Sequence, residues 1–122
     1  MPLDLARRVE DNFAILDVTG SLTLGPSLKG LRDAVRDLLA DTKLAGIILR
    51  VADITATDSA GLGELTVVYS IASKRGCPIR LVAVSPNLRR MLEVTHLDGL
   101  LPSAPDVASA KRELRKSSAA SG

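Results

Sequence analysis

Leu44-Ala45-Gly46-Ile47-Ile48-Leu49-Arg50-Val51 is a nearly unbroken apolar run, and the polar stretch Asp53-Ile54-Thr55-Ala56-Thr57-Asp58-Ser59-Ala60-Gly61-Leu62-Gly63 follows it closely. A run of this kind, broken by one charge, suits a central strand covered on both faces. Arg50 is expected at the strand's end, where a long side chain reaches water. Ala52 to Ser59 reads as a connection. Ala60 to Arg75 reads as a helix, with Leu62, Leu65, Val68, Tyr69 and Ala72 along its inner face. Gly76 is a suitable left-handed stop, and Pro78 blocks continuation. A buried strand feeding a helix through a short polar loop points to parallel strands joined by crossovers.

The flanks extend this pattern. Upstream, Leu3 to Val9 and Phe13 to Thr19 read as strands joined by the polar turn Glu10-Asp11-Asn12, which makes a β-hairpin. Gly20 to Pro26 reads as loop. Pro26 suits the first turn of a helix whose apolar positions are Leu28, Leu31, Val35, Leu38 and Leu39. Downstream, Ile79 to Val84 is a short apolar strand, and Ser85-Pro86 caps a third helix with Leu88, Met91, Leu92 and Thr95 inward. Leu100-Leu101 reads as a short last strand ended by Pro102. Asp106 caps a final helix through Val107, Ala110 and Leu114, and Ser117 to Gly122 is a small polar tail expected to be disordered. The expectation is one α/β domain over residues 1–116. Its sheet is mixed and mostly parallel, with about four to five strands, an N-terminal hairpin and about four helices.

Composition narrows the function. The chain has 122 residues, enough for one domain. Its aromatic residues are Phe13 and Tyr69 alone, so the core is aliphatic and no stacking platform for nucleic-acid bases is available. The net charge is +2, and the basic pairs Arg7-Arg8 and Arg89-Arg90 are separated by acids, which argues against direct DNA binding. Cys77 is the single cysteine, so no intrachain disulfide forms, consistent with a reducing compartment. No stretch is long and apolar enough to span a bilayer, and no signal peptide is evident, so a cytoplasmic protein without membrane insertion is expected.

Catalytic chemistry is poorly supplied. His96 is the lone histidine, and it reads as a surface or capping residue at a helix end. Cys77 and His96 lack metal-ligand spacing. No phosphate loop is present, and Gly61-Leu62-Gly63 is only a fragment of a dinucleotide fingerprint. Ser59 lacks the first glycine of an esterase elbow, since Thr57 stands there. Neither a catalytic residue, a metal nor a cofactor is expected. Ser59 falls at the cap or first turn of a helix, where exposed N–H groups and the positive dipole end tolerate a phosphate. Two readings of the stretch stay open at this level. Either Asp58 or Ser59 is an ordinary cap and the glycines serve helix packing, or Ser59 is a switch on an exposed surface.

The hexad Asp58-Ser59-Ala60-Gly61-Leu62-Gly63, coming after an apolar strand, resembles the signature of STAS domains, the family of anti-sigma factor antagonists. Gly20 after the second strand, Ser85-Pro86-Asn87-Leu88 at the third helix start and Leu97-Asp98-Gly99-Leu100-Leu101 extend the likeness along the chain. Arg50 stands near a position that is usually acidic, and Thr55-Ala56-Thr57 where a large apolar residue is usual. The resemblance implies the STAS fold and a non-enzymatic protein that acts by partner switching. Unphosphorylated, it binds an anti-sigma factor with serine kinase activity and so releases a sigma factor. The kinase phosphorylates Ser59 and ends the contact, and a metal-dependent serine phosphatase restores it. The implied contact residues are Asp58, Ser59, Ala60, Gly61, Leu62 and Gly63, with Gly20, Ser21 and Thr23 from the preceding loop, and the exposed face near Glu64 and Val67. A monomer or weak homodimer is expected. A STAS scaffold or regulatory subunit of a stress-signalling or transport complex, without phospho-switching, is the alternative, and an enzyme or nucleotide-binding module is a third.

Overall fold

The computed structural model describes residues 3–121, with side chains described for residues 3–116. The side chains of the polar tail Ser117–Gly122, and Gly122 itself, lie outside the described residues. Strand β1 (Asp4–Glu10) and strand β2 (Phe13–Leu22) form the expected hairpin, with Glu10 opposite Phe13. The two residues between them, Asp11 and Asn12, have φ of 54° and 67°. Two consecutive left-handed residues make a turn whose twist matches that of the strands, and Asp and Asn tolerate that conformation better than other non-glycine residues.

Helix α1 (Lys29–Leu39) follows a single 3-10 turn at Pro26–Leu28, with Pro26 at its first position. Strand β3 (Gly46–Thr57), helix α2 (Ser59–Lys74), strand β4 (Ile79–Val82), helix α3 (Pro86–Val94), strand β5 (Ser103–Ala104) and helix α4 (Val107–Ser121) complete the order. The sheet runs β1-β2-β3-β4-β5, antiparallel at the hairpin and parallel elsewhere. Helices α1, α2 and α3 cover one face, where Leu31, Val35, Leu65, Val68, Leu88 and Leu92 meet Leu16, Val18, Ile47, Leu49 and Leu81. Helix α4 covers part of the other face, with Ala110 and Leu114 on Phe13, Ile15 and Ile48. Lys111 ties α4 to the hairpin turn through Glu10 and Asp11, at 3.0 and 3.1 Å. The Asp106 cap is as expected, its carboxylate accepting from the Ser109 N–H at 2.8 Å.

Several expectations need correction. Gly20 to Leu22 is strand rather than loop, and β3 continues to Thr57 instead of stopping at Val51. The two extensions pair with each other, Gly20 opposite Ile54 and Leu22 opposite Thr57, across register shifts at Thr19 and Gly20. Gly20 has φ of 96°, so only glycine carries this bulge without strain. Arg50 is therefore mid-strand, and it is solvated by ion pairs to Asp53 at 3.2 Å and Asp17 at 3.6 Å. Strand β4 stops at Val82, because Ala83 turns to φ 57°. The last strand is Ser103–Ala104, not Leu100-Leu101. Leu101 is instead a buried plug in the three-helix core, and Pro102 does not end the pairing: its carbonyl accepts the Leu81 N–H at 3.0 Å.

Candidate functional site

The loops that follow β2, β3 and β4 leave the carboxyl ends of parallel strands, the end of an α/β sheet where binding surfaces concentrate. Asp58 joins two of them. Its backbone is extended, as an N-cap requires, and Oδ1 accepts the Gly61 N–H of α2 at 2.9 Å. Oδ2 accepts the Leu24 N–H of the β2–α1 loop at 3.0 Å. One carboxylate thus starts the helix and clasps the neighbouring loop. These N–H groups, Leu24's first and Gly61's second, hold the Asp58 carboxyl below the ordinary aspartate range.

The sign of the pH effect follows. A carboxyl whose folded pKa is depressed contributes stability above its unfolded value and loses it as pH falls through the folded value. Stability from the clasp is therefore lost below about pH 4. Asp58→Asn has one acceptor oxygen and one donor amide, so it serves only one of the two N–H groups. Its urea midpoint at neutral pH falls below wild type, and its decline on acidification is shallower. Glu10 and Asp106 are also depressed and contribute the same acid limb in both proteins, so the difference between the two curves isolates Asp58.

Ser59 is the first residue of α2, exposed, and among the described residues its hydroxyl has no hydrogen-bond partner. The cap is therefore Asp58, and Ser59 has no part in starting the helix. The glycines divide as well. A Cβ on Gly61 overlaps the Leu22 backbone carbonyl, with the carbonyl carbon only 2.7 Å away. Leu22 also accepts the Asp58 N–H at 3.3 Å. Gly61 thus lets α2 lie against β2. A Cβ on Gly63 meets nothing within 4 Å, and Gly63 is exposed.

Several expected contact residues are not on the surface. Gly20, Gly61 and Leu62 are buried, while Ser21, Thr23, Asp58 and Ala60 are half-buried. Ser59 and Gly63 are the open positions of the hexad. Glu64, expected on an exposed face, is 8% exposed and takes a bidentate ion pair from Arg32 of α1, with both contacts at 2.8 Å. This pair locks α1 to α2. Arg32→Met strands a buried carboxylate, so it lowers the urea midpoint more than the double change Arg32→Met/Glu64→Leu, which removes both charges.

Two features were not read from the sequence. Leu24 at the tip of the clasped loop is 79% exposed, an apolar side chain with nothing to cover it. Its only sequence signal was a large apolar residue in a loop of Gly, Ser and Thr. The second is an open groove of about 380 Å³ between the start of α2 and α3, bordered by Ser59, Leu62, Arg90, Met91 and Val94. Val94 is 70% exposed. Ser59 thus stands between two apolar features, on a surface built from three loops and helix starts. Among the described residues no group of His, Cys, Asp or Glu is placed to hold a metal, and no helix is long and apolar enough to cross a membrane. Cys77 is buried, and burial pushes its thiol pKa up.

Comparison with known proteins places this geometry. A candidate anti-sigma factor antagonist from Thermotoga maritima is similar with a TM-score of 0.80 at 22% identity, over 91% of this chain and 94% of that one. An anti-sigma factor antagonist from Mycobacterium paratuberculosis gives 0.77 at 22% identity, over 93% and 94%. The Bacillus cell fate determinant SpoIIAA in its phosphorylated form gives 0.66 at 16% identity, over 90% and 97%. At these identities the likeness speaks for the fold. The sequence profile of the STAS domain matches residues 4–110, nearly the whole sheet and its helices. That match covers well over half of the chain, and the mixed five-stranded sheet agrees with it: this chain belongs to the STAS domain family.

Proposed function

We propose that the protein is an anti-sigma factor antagonist switched by phosphorylation of Ser59. The observation that carries this reading is the state of Ser59 itself. It is exposed, its hydroxyl has no hydrogen-bond partner among the described residues, and it is set at the start of a sixteen-residue helix by a neighbouring residue that does the capping. A phosphate there adds about two negative charges without displacing any internal contact. Its effect falls on the surface between Leu24 and Val94, where a partner docks.

In this reading the unphosphorylated protein binds an anti-sigma factor that has serine kinase activity. That kinase moves the γ-phosphoryl group of ATP to the Ser59 hydroxyl oxygen. The new O–P bond replaces the bond to the leaving ADP, and the hydroxyl proton passes to a base of the kinase. Repulsion and desolvation of the phosphate then end the contact. A metal-dependent serine phosphatase reverses the change, and the antagonist itself catalyses nothing. The phosphorylated Bacillus relative, with the same fold, supports the reading by analogy.

The test uses wild-type, Ser59→Ala and Ser59→Asp proteins as baits in extract of the native cell. A kinase-domain protein retained by the first two and held more weakly by the third supports the switch. Equal retention by all three, in one large assembly, supports a constitutive scaffold instead.

A further inference from the structure

The groove beside Ser59 has a chemical asymmetry. Its floor is apolar, from Leu62, Met91 and Val94, and its wall carries one cation, Arg90, and no carboxylate. Arg90 is exposed on α3, and among the described residues it makes no ion pair. Arg36, Arg75, Arg89 and Arg112 also make no ion pair among the described residues, but of these arginines only Arg90 borders the groove. Arg90 thus faces the same space as the Ser59 hydroxyl with its charge uncommitted. Asn87, one turn earlier on α3, borders the same groove and offers an amide donor.

We propose that Arg90 is the receptor for the phosphate of phosphorylated Ser59, bridging the groove from α3 to α2. This rests on the reading of Ser59 as the modified residue and adds how the modification is read. A guanidinium presents a planar fork of donors that matches two phosphate oxygens, and charge-assisted pairs of this kind are the stronger hydrogen bonds. The bridge has two consequences for a docking partner. It withdraws the groove's one cation from any partner carboxylate, and it lays a phosphate over the apolar floor of Leu62 and Met91. Phosphorylation then masks attractive surface as well as adding repulsive charge.

The test installs phosphoserine at position 59 of the full chain during translation and follows its second ionisation by phosphorus NMR, at about 0.15 M salt to screen distant charges. A facing guanidinium favours the dianion. Arg90→Gln is therefore expected to raise the phosphate pKa by at least about half a unit. Arg90→Lys keeps part of the shift. Arg89→Gln, on the same helix but outside the groove wall, leaves it unchanged. The proposal is overturned if Arg90→Gln leaves the titration where it was, or if Arg89→Gln moves it as far. Unphosphorylated Arg90→Gln keeps the wild-type melting temperature, because Arg90 is exposed. Since the phosphate is installed by design, a negative result removes the bridge alone. Absence of phosphate from Ser59 in the cell removes the reading beneath it.

Discussion

Replacing Gly61 with alanine is expected to lower stability by about 3 kcal/mol or more, at the upper end of what overpacking costs. The added Cβ meets the Leu22 backbone carbonyl, which cannot swing aside as a flexible side chain does. Relief requires α2 to lift from β2. Lifting it breaks the Asp58 N–H bond to the same carbonyl and stretches the Asp58 clasp on Leu24. Urea unfolding reads the loss as a fall in midpoint at unchanged slope. Gly63 is the internal control, two residues further along the same helix. Open space faces its Cα, so Gly63→Ala is expected to stabilise the protein by roughly 0.5–1 kcal/mol through helix propensity alone. If Gly61→Ala unfolds at the wild-type midpoint, the close packing of α2 on β2 is wrong.

The Ser59 series separates stability from binding. Ser59→Ala is expected to stay within about 0.5 kcal/mol of wild type, since the side chain makes no hydrogen bond among the described residues. It binds the partner as wild type does and cannot be switched off. Phosphoserine at the same position also keeps the fold, yet lowers partner affinity by roughly a hundredfold or more, because it lays a charge over the docking surface and its pairing with Arg90 takes the groove's cation from the partner. Ser59→Asp lies between, at roughly tenfold, since one carboxylate has half the charge and fewer acceptor oxygens. Titration calorimetry of each form against the retained kinase-domain protein measures the series. Loss of binding in a folded Ser59→Ala protein contradicts the switch.

Local chemistry made much of the fold legible. Pro26, Ser85-Pro86, Asp106 and the turn at Asp11-Asn12 act through their own backbone neighbours, and each stands where its chemistry puts it. The outer halves of β2 and β3 were not legible, because Gly20–Leu22 and Ala52–Thr57 are strands only by virtue of each other. The first is a three-residue segment with a glycine and a serine, the second is mostly polar or exposed, and the pairing that orders them joins segments about thirty-five residues apart. The β-branched residues Ile54, Thr55 and Thr57 were the available signal.

The site shows the same division. The hexad could be found because its six residues are contiguous. The burial of Glu64 depends on Arg32, thirty-two positions away. The groove exists because α3 brings Arg90, Met91 and Val94 beside α2, which no local pattern encodes. Among the glycines, the sequence offered helix packing as a role for Gly61 and Gly63 together. The packing assigns it inside the chain to Gly61 and leaves Gly63 facing outward.

The proposed switch requires Ser59 to carry a reversible phosphate. Intact-mass spectrometry with peptide mapping, on protein isolated from its native cell in growth and under stress, tests it most directly. A single phosphate on the peptide containing Ser59 is expected, with an occupancy that falls when the cells are stressed. Protein free of phosphate at every residue in all conditions would contradict it and leave a constitutive STAS scaffold as the standing description.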